Sequence, residues 1–155
     1  LNTPGMEESV KEESVYSLLP LLTNNSNTVR QSSVNCLAQI TVAKLAKDQC
    51  VSSIGSLDSL KDMIRSPVES KQTKVNILRV ITNLSEHPLA RRFFLDLVPH
   101  MTLLRSQVDE EVRQYDEEGK NKRQEEEDST VSPYQINMQL SDCLTICVYK
   151  VSWKP

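Results

Sequence analysis

A chain of 155 residues with 38% apolar side chains is long enough to bury one sizeable core, and its 3 glycines favour an all-helical protein over a turn-rich β one. The formal net charge of −3 gives no electrostatic reason to bind nucleic acid. Four cysteines (Cys36, Cys50, Cys143 and Cys147) form no paired framework and point to a reducing compartment, and no apolar run approaches the roughly 18–20 residues of a membrane span.

The chain opens on Leu1-Asn2-Thr3-Pro4-Gly5, with neither an initiator methionine nor a basic and apolar leader. It reads as the carboxy-terminal section of a longer chain, with residues 1–14 a linker or the end of a preceding unit. Residues 6–23 are expected to be helical from about Glu12, because Val15, Leu18, Leu19 and Leu22 fall on one stripe; Pro20 should kink or divide that helix. Asn24-Asn25-Ser26-Asn27 is a turn that supplies an N-cap. A long helix is predicted over residues 28–46 from Val29, Val34, Leu37, Ile40, Ala43 and Leu45, then a short one over 48–55 with Gly55 at its C′ position.

The order then restarts. A helix over 57–64 leads through Ser66-Pro67 to a long helix over 69–85 carrying Val75, Leu78, Ile81 and Leu84. After Pro88 comes a short helix over 89–97, and Pro99 should break the chain before 101–104 opens a third unit. Residues 109–128 hold runs such as Glu125-Glu126-Glu127-Asp128 around Lys120, Lys122 and Arg123, too charged to offset their ordering entropy by burial. They read as a solvated helix extension or a mobile loop. Pro133 closes the insert, and residues 135–152 regain helical periodicity through Ile136, Leu140, Leu144, Cys147, Val148 and Val151, as a cap over the end of the molecule.

Residues 15–41 and 56–82 are one pattern written twice. At a shift of 41 positions Leu19 falls on Leu60, Leu22 on Met63, Leu37 on Leu78, and Ile40-Thr41 on Ile81-Thr82. A helical period of about 40 residues is the sign of HEAT and armadillo arrays, in which a helix pair buries its apolar face only against its neighbours. The expected fold is therefore all-α: an armadillo/HEAT-type α-solenoid, here its C-terminal section with a capping helix. Its divisions are 15–55, 56–96, and an interrupted third unit over 97–155 with the charged insert 109–128.

Little in the chain suggests chemistry. His87 and His100 each adjoin a proline, and no nucleophile elbow or Cys/His signature accompanies them. Cys143 and Cys147 share a helix face, but a zinc site needs ligands from a second segment, so core filler is the plainer reading. The acidic run lacks the alternating ligands and turn glycine of a calcium loop, and no phosphate-cradling glycine motif exists. No catalytic, cofactor-binding or metal residue is assigned, and no nucleic acid, membrane or small-molecule substrate is expected. The informative polar set lies on the two long helices. With Val75, Leu78 and Ile81 facing the core, Asn76, Arg79 and Asn83 share another face, and Asn35 and Gln39 repeat it in the preceding unit. Stacking would align these five as a candidate groove for a partner protein, against the plainer reading of an ordinary solvated face.

The pattern Leu18-Leu19-Pro20-Leu21-Leu22, a turn, Val29-Arg30 and Val34-Asn35-Cys36-Leu37-Ala38 resembles an armadillo repeat. Asn83 after Ile81-Thr82 matches the asparagine many such repeats carry on their third helix. Importin adaptors place a tryptophan four residues before it, where this chain has Arg79, which argues against a nuclear-import receptor. Over most of residues 14–155 the chain is similar to the radial spoke armadillo proteins of motile cilia. Ser85-Glu86-His87-Pro88-Leu89-Ala90-Arg91-Arg92, Leu97-Val98-Pro99-His100 and the ending Trp153-Lys154-Pro155 carry that likeness, from which the charged insert departs. The resemblance implies a non-catalytic scaffold in the axoneme of the cilium or flagellum, bound to other radial spoke subunits. The alternative is a cytosolic armadillo adaptor that holds extended peptides in signalling or trafficking.

Overall fold

The computed structural model describes residues 14–119 and 132–154, and these are helical with no strand among them. In chain order the helices are α1 (Ser14–Leu18), α2 (Asn27–Ile40), α3 (Lys44–Ser52), α4 (Asp58–Arg65), α5 (Lys71–Leu84), α6 (Pro88–Phe94), α7 (Val98–Gly119) and α8 (Pro133–Ser152). Short 3₁₀ segments at Leu19–Thr23, Ile54–Leu57 and Leu95–Leu97 join them. Expectations for residues 1–13 and for 120–128 of the charged insert lie outside the described residues.

Serine begins α2, α5 and α8 in the same way. Ser26, Ser70 and Ser132 adopt extended backbone, and each hydroxyl accepts the amide three residues on, from Val29 (3.4 Å), Thr73 (3.1 Å) and Gln135 (3.2 Å). This satisfies one of the amides a helix start leaves unpaired. At Ser132 the Gln135 side chain also reaches back to the serine amide, completing a capping box. Pro20 divides the first apolar stripe as expected, leaving α1 and a 3₁₀ turn.

Helices α2 and α5 also end alike. Thr41 and Ser85 each donate a side-chain hydroxyl at 2.6 Å and a backbone amide at 2.9 Å to the carbonyl four residues earlier, on Leu37 and Ile81. The predicted helix over 28–46 stops at Ile40, and Ala43 restarts the chain as the N-cap of α3. Ala43 and Ala46 are buried, so the break turns α3 back onto the core instead of running on into solvent. Gly55 sits in a 3₁₀ turn with no positive φ, and α3 ends at Ser52, capped by Ser53, without it. Pro99 occupies the first turn of α7, where its missing amide leaves no bond unmade, so it starts a helix where a break was expected.

These matching ends place α2 on α5 at a separation of 44 positions, Ser26 with Ser70 and Thr41 with Ser85, not at the 41 read from the sequence. Val34 then corresponds to Leu78 and Leu37 to Ile81, all fully buried. A slip of three is almost silent in the apolar pattern, because helix faces recur every three to four residues. The turn before α2 has three residues (24–26) and that before α5 has five (66–70), which adds to the separation.

Helix α5 packs between α2 and α8, and α7 runs antiparallel to α8. One apolar cluster runs through every layer, from Val15 and Leu22 through Leu37, Leu60, Ile77 and Leu78 to Phe94, Leu140 and Val151. Ion pairs cross the layer boundaries: Arg30 to Glu69 (2.7 Å), Lys61 to Asp96 (3.0 Å), Lys47 to Glu86, and Lys71 to Glu111. Lys61 is buried, and its ammonium sits 3.8 Å from the centre of the Phe93 ring. Over 109–119 the charged insert is an extension of α7, laced by Arg113 to Glu110 and Glu117.

Candidate partner-binding surface

Asn35 and Gln39 stand exposed on α2, joined by a long side-chain hydrogen bond of 3.4 Å. On α5 the expected face breaks up. Only Arg79 is exposed; Asn76 is buried beside it, accepting a 3.3 Å hydrogen bond from the Arg79 guanidinium. Asn83 turns to α2, where its amide nitrogen donates to the Ala38 carbonyl (3.3 Å) and the Thr41 hydroxyl (3.1 Å). Ala38 lies in the last turn of α2, whose carbonyls have no partner within the helix, so Asn83 stitches the two long helices together.

The five predicted residues therefore do not form one ladder. Asn35, Gln39 and Arg79 belong to an outer surface, whereas Asn76 and Asn83 belong to the packing between helices. In the register of the folded chain Asn35 corresponds to Arg79 and Gln39 to Asn83, three positions from the pairing read in the sequence. That slip is what set Asn76 opposite Asn35.

Arg79 also lies against α8. Burial raises the Cys143 thiol pKa, and the Arg79 charge and hydrogen bond oppose that rise. Burial alone pushes the Cys50 thiol up to about 12; it takes Cys147 to about 12 as well, against a hydrogen bond with Thr82. Such thiols stay protonated and inert at neutral pH. Between α5, α7 and α8 a polar cluster closes over the core: the Lys71 ammonium donates to Asn137 Oδ1 (2.7 Å) and to Glu111, and Asn137 Nδ2 donates to the same carboxylate (3.1 Å). Each group satisfies another, as a buried amide requires.

The remaining polar groups converge on no reacting centre. His87 caps α6, its Nδ1 accepting the Leu89 amide at 3.2 Å, and His100 sits in the first turn of α7. An open depression of about 290 Å³ is lined by Tyr16, Leu19, Pro20, Thr23, Ser53, Ser56 and Ser59, which offers hydroxyls but no acid or base. Among the described residues no cluster of His, Cys, Asp and Glu is arranged to hold a metal ion, and no helix is long and apolar enough to cross a membrane.

Sequence reasoning missed the outer face of α8. Its buried stripe is Leu140, Leu144, Cys147 and Val151, as the periodicity predicts. Off that stripe Met138, Ile146 and Tyr149 are exposed, with Trp153 just past the helix end, and Tyr149 is 67% open to solvent. The signal was present in the spacing of Ile146, Tyr149 and Trp153, three and four residues apart. No protein-family model matches this chain, and no curated protein matches it in sequence.

Proposed function

We propose that this chain is a non-catalytic structural scaffold, an armadillo/HEAT-type α-solenoid that holds other proteins on its outer surfaces. The observation that carries this reading is the recurrence of one helix-capping scheme at Ser26–Thr41 and Ser70–Ser85, with α5 packed between α2 and α8 over a shared core. A stack of equivalent layers extends a surface in one direction, which suits it to gripping partners along its length. At family level the proposal is a radial spoke component of the motile ciliary axoneme, bound to neighbouring spoke subunits. It rests on the likeness carried by Ser85 to Arg92, Leu97 to His100 and the Trp153-Lys154-Pro155 ending. Asn35, Gln39 and Arg79 are the residues of the predicted groove that remain available to such a partner.

The adaptor reading needs a free amide on the long helix to hold an extended peptide. Asn83, which matches the armadillo asparagine, already donates to Ala38 and Thr41, which weighs against it. The test is to locate the tagged full-length protein in ciliated cells and extract their axonemes with detergent and salt. Retention in the axoneme together with spoke subunits is the expected result. A diffuse cytosolic signal with none in the axoneme would sink the ciliary assignment.

A further inference from the structure

Helix α8 presents a second surface, unpartnered among the described residues, whose residues are arranged symmetrically. Ile146 is 52% exposed at its centre, and Asp142 and Lys150 lie four residues before and after it, flanking it on one stripe. Neither charge has an ion-pair partner among the described residues. Met138 and Trp153 sit near the two ends of the same stripe, and Trp153 is held from behind by the Arg91 guanidinium, 5.1 Å from its ring centre. An acid and a base equidistant from an apolar centre make a surface complementary to itself when turned through two-fold rotation.

We infer that the outer face of α8 docks a second copy of this chain, the two α8 helices crossing antiparallel about a two-fold axis at Ile146. Rotation about that axis brings each Asp142 against the partner's Lys150 and each Ile146 against the partner's Ile146. At about 1.5 Å of rise per residue, Met138 and the partner's Trp153 fall at nearly the same level, so each end of the stripe closes over an apolar pair. The arrangement is isologous and closes on itself, giving a dimer and not a filament. Charge complementarity selects this occupant: a partner helix of one charge sign would meet repulsion from either Asp142 or Lys150. One helix face buries less than the ~800 Å² per partner of a standard interface, so the association is weak and concentration-dependent. This inference does not depend on the ciliary reading.

Sedimentation equilibrium of the whole 155-residue chain, from about 5 to 500 µM to bracket a small interface, tests it. The apparent mass should climb from one chain toward two. Asp142→Lys should weaken the association about tenfold or more, since it replaces two attractions by two repulsions. The double variant Asp142→Lys with Lys150→Asp restores opposite charges across the axis and should recover dimerisation. Both substituted positions are exposed, and matching far-UV circular dichroism would show that the variants remain folded. A single-chain mass at every concentration overturns the proposal. So does indifference to Asp142→Lys, or failure of the folded double variant to recover.

Discussion

Helices α5 and α8 both begin at a serine cap and both belong to the row of long helices, but they bury themselves differently. In α5, Val75, Ile77, Leu78, Val80, Ile81 and Leu84 are all inaccessible, because α2 lies on one flank and α8 on the other. In α8 burial follows the narrow stripe of Leu140, Leu144, Cys147 and Val151, and the opposite face carries Met138, Ile146 and Tyr149 into solvent. Place in the row, more than helix propensity, decides how many faces a helix must make apolar.

The sharpest way to break that comparison is to cut the same side chain from each helix. Leu78→Ala should cost about 3–5 kcal/mol, since packed neighbours on both flanks cannot collapse into the space, and Leu144→Ala about 2–3 kcal/mol. Urea titration with matched m-values reads the difference; equal losses would mean that α8 is as tightly enclosed as α5. Next comes the alkaline limb. Cys50 and Cys147 rise from the ordinary 9.0 to about 12, so the folded chain holds these protons more tightly than the unfolded one. The stability this contributes is whole below about pH 9 and is lost as pH climbs toward about 12. A thermal melting series across that range should fall, and Cys50→Ala should flatten the fall even if it lowers the starting value.

Smaller effects sharpen the role of the stitching amide. Asn83→Ala should cost about 1–2 kcal/mol by leaving the end of α2 unpaired, whereas Gln39→Ala at the corresponding place should stay within about 0.5 kcal/mol. If both changes proved neutral in chemical denaturation, Asn83 would return to the candidate groove. Smallest of all, Arg113→Ala, at an exposed position on the extension of α7, should leave the denaturation midpoint unmoved, for all the carboxylates around it.

The helix expected from 69 took in its own cap, Ser70, but helix positions and the cap at Ser26 could be read from apolar spacing and turn residues. The end of α2 could not. Its counterpart after α5 contains Pro88, a visible punctuation mark, but Thr41-Val42-Ala43 has neither proline nor glycine. There the chain turns after Ile40 and brings Ala43 and Ala46 into the core, and only the packed chain reveals that burial. The candidate groove suffered from the same blindness. Asn76 and Asn83 looked like surface because they lie off the stripe of Val75, Leu78 and Ile81, and they proved to be packing because α5 has neighbours on both flanks. The α8 face was overlooked for the opposite reason: an apolar residue in a helix reads as core until a neighbour is found to be missing.

The ion pairs at the layer boundaries have a direction. In Arg30–Glu69, Lys47–Glu86, Lys61–Asp96 and Lys71–Glu111 the cation always comes first in the chain and the carboxylate belongs to a later helix or turn. Each contact is worth little by itself, but together they act like keyed connectors, plug on one side and socket on the other. Among the described residues the segment from Lys61 to Glu86 carries both genders, offering Glu69 and Glu86 backward and Lys61 and Lys71 forward. That makes it the piece that faces a neighbouring layer on both sides.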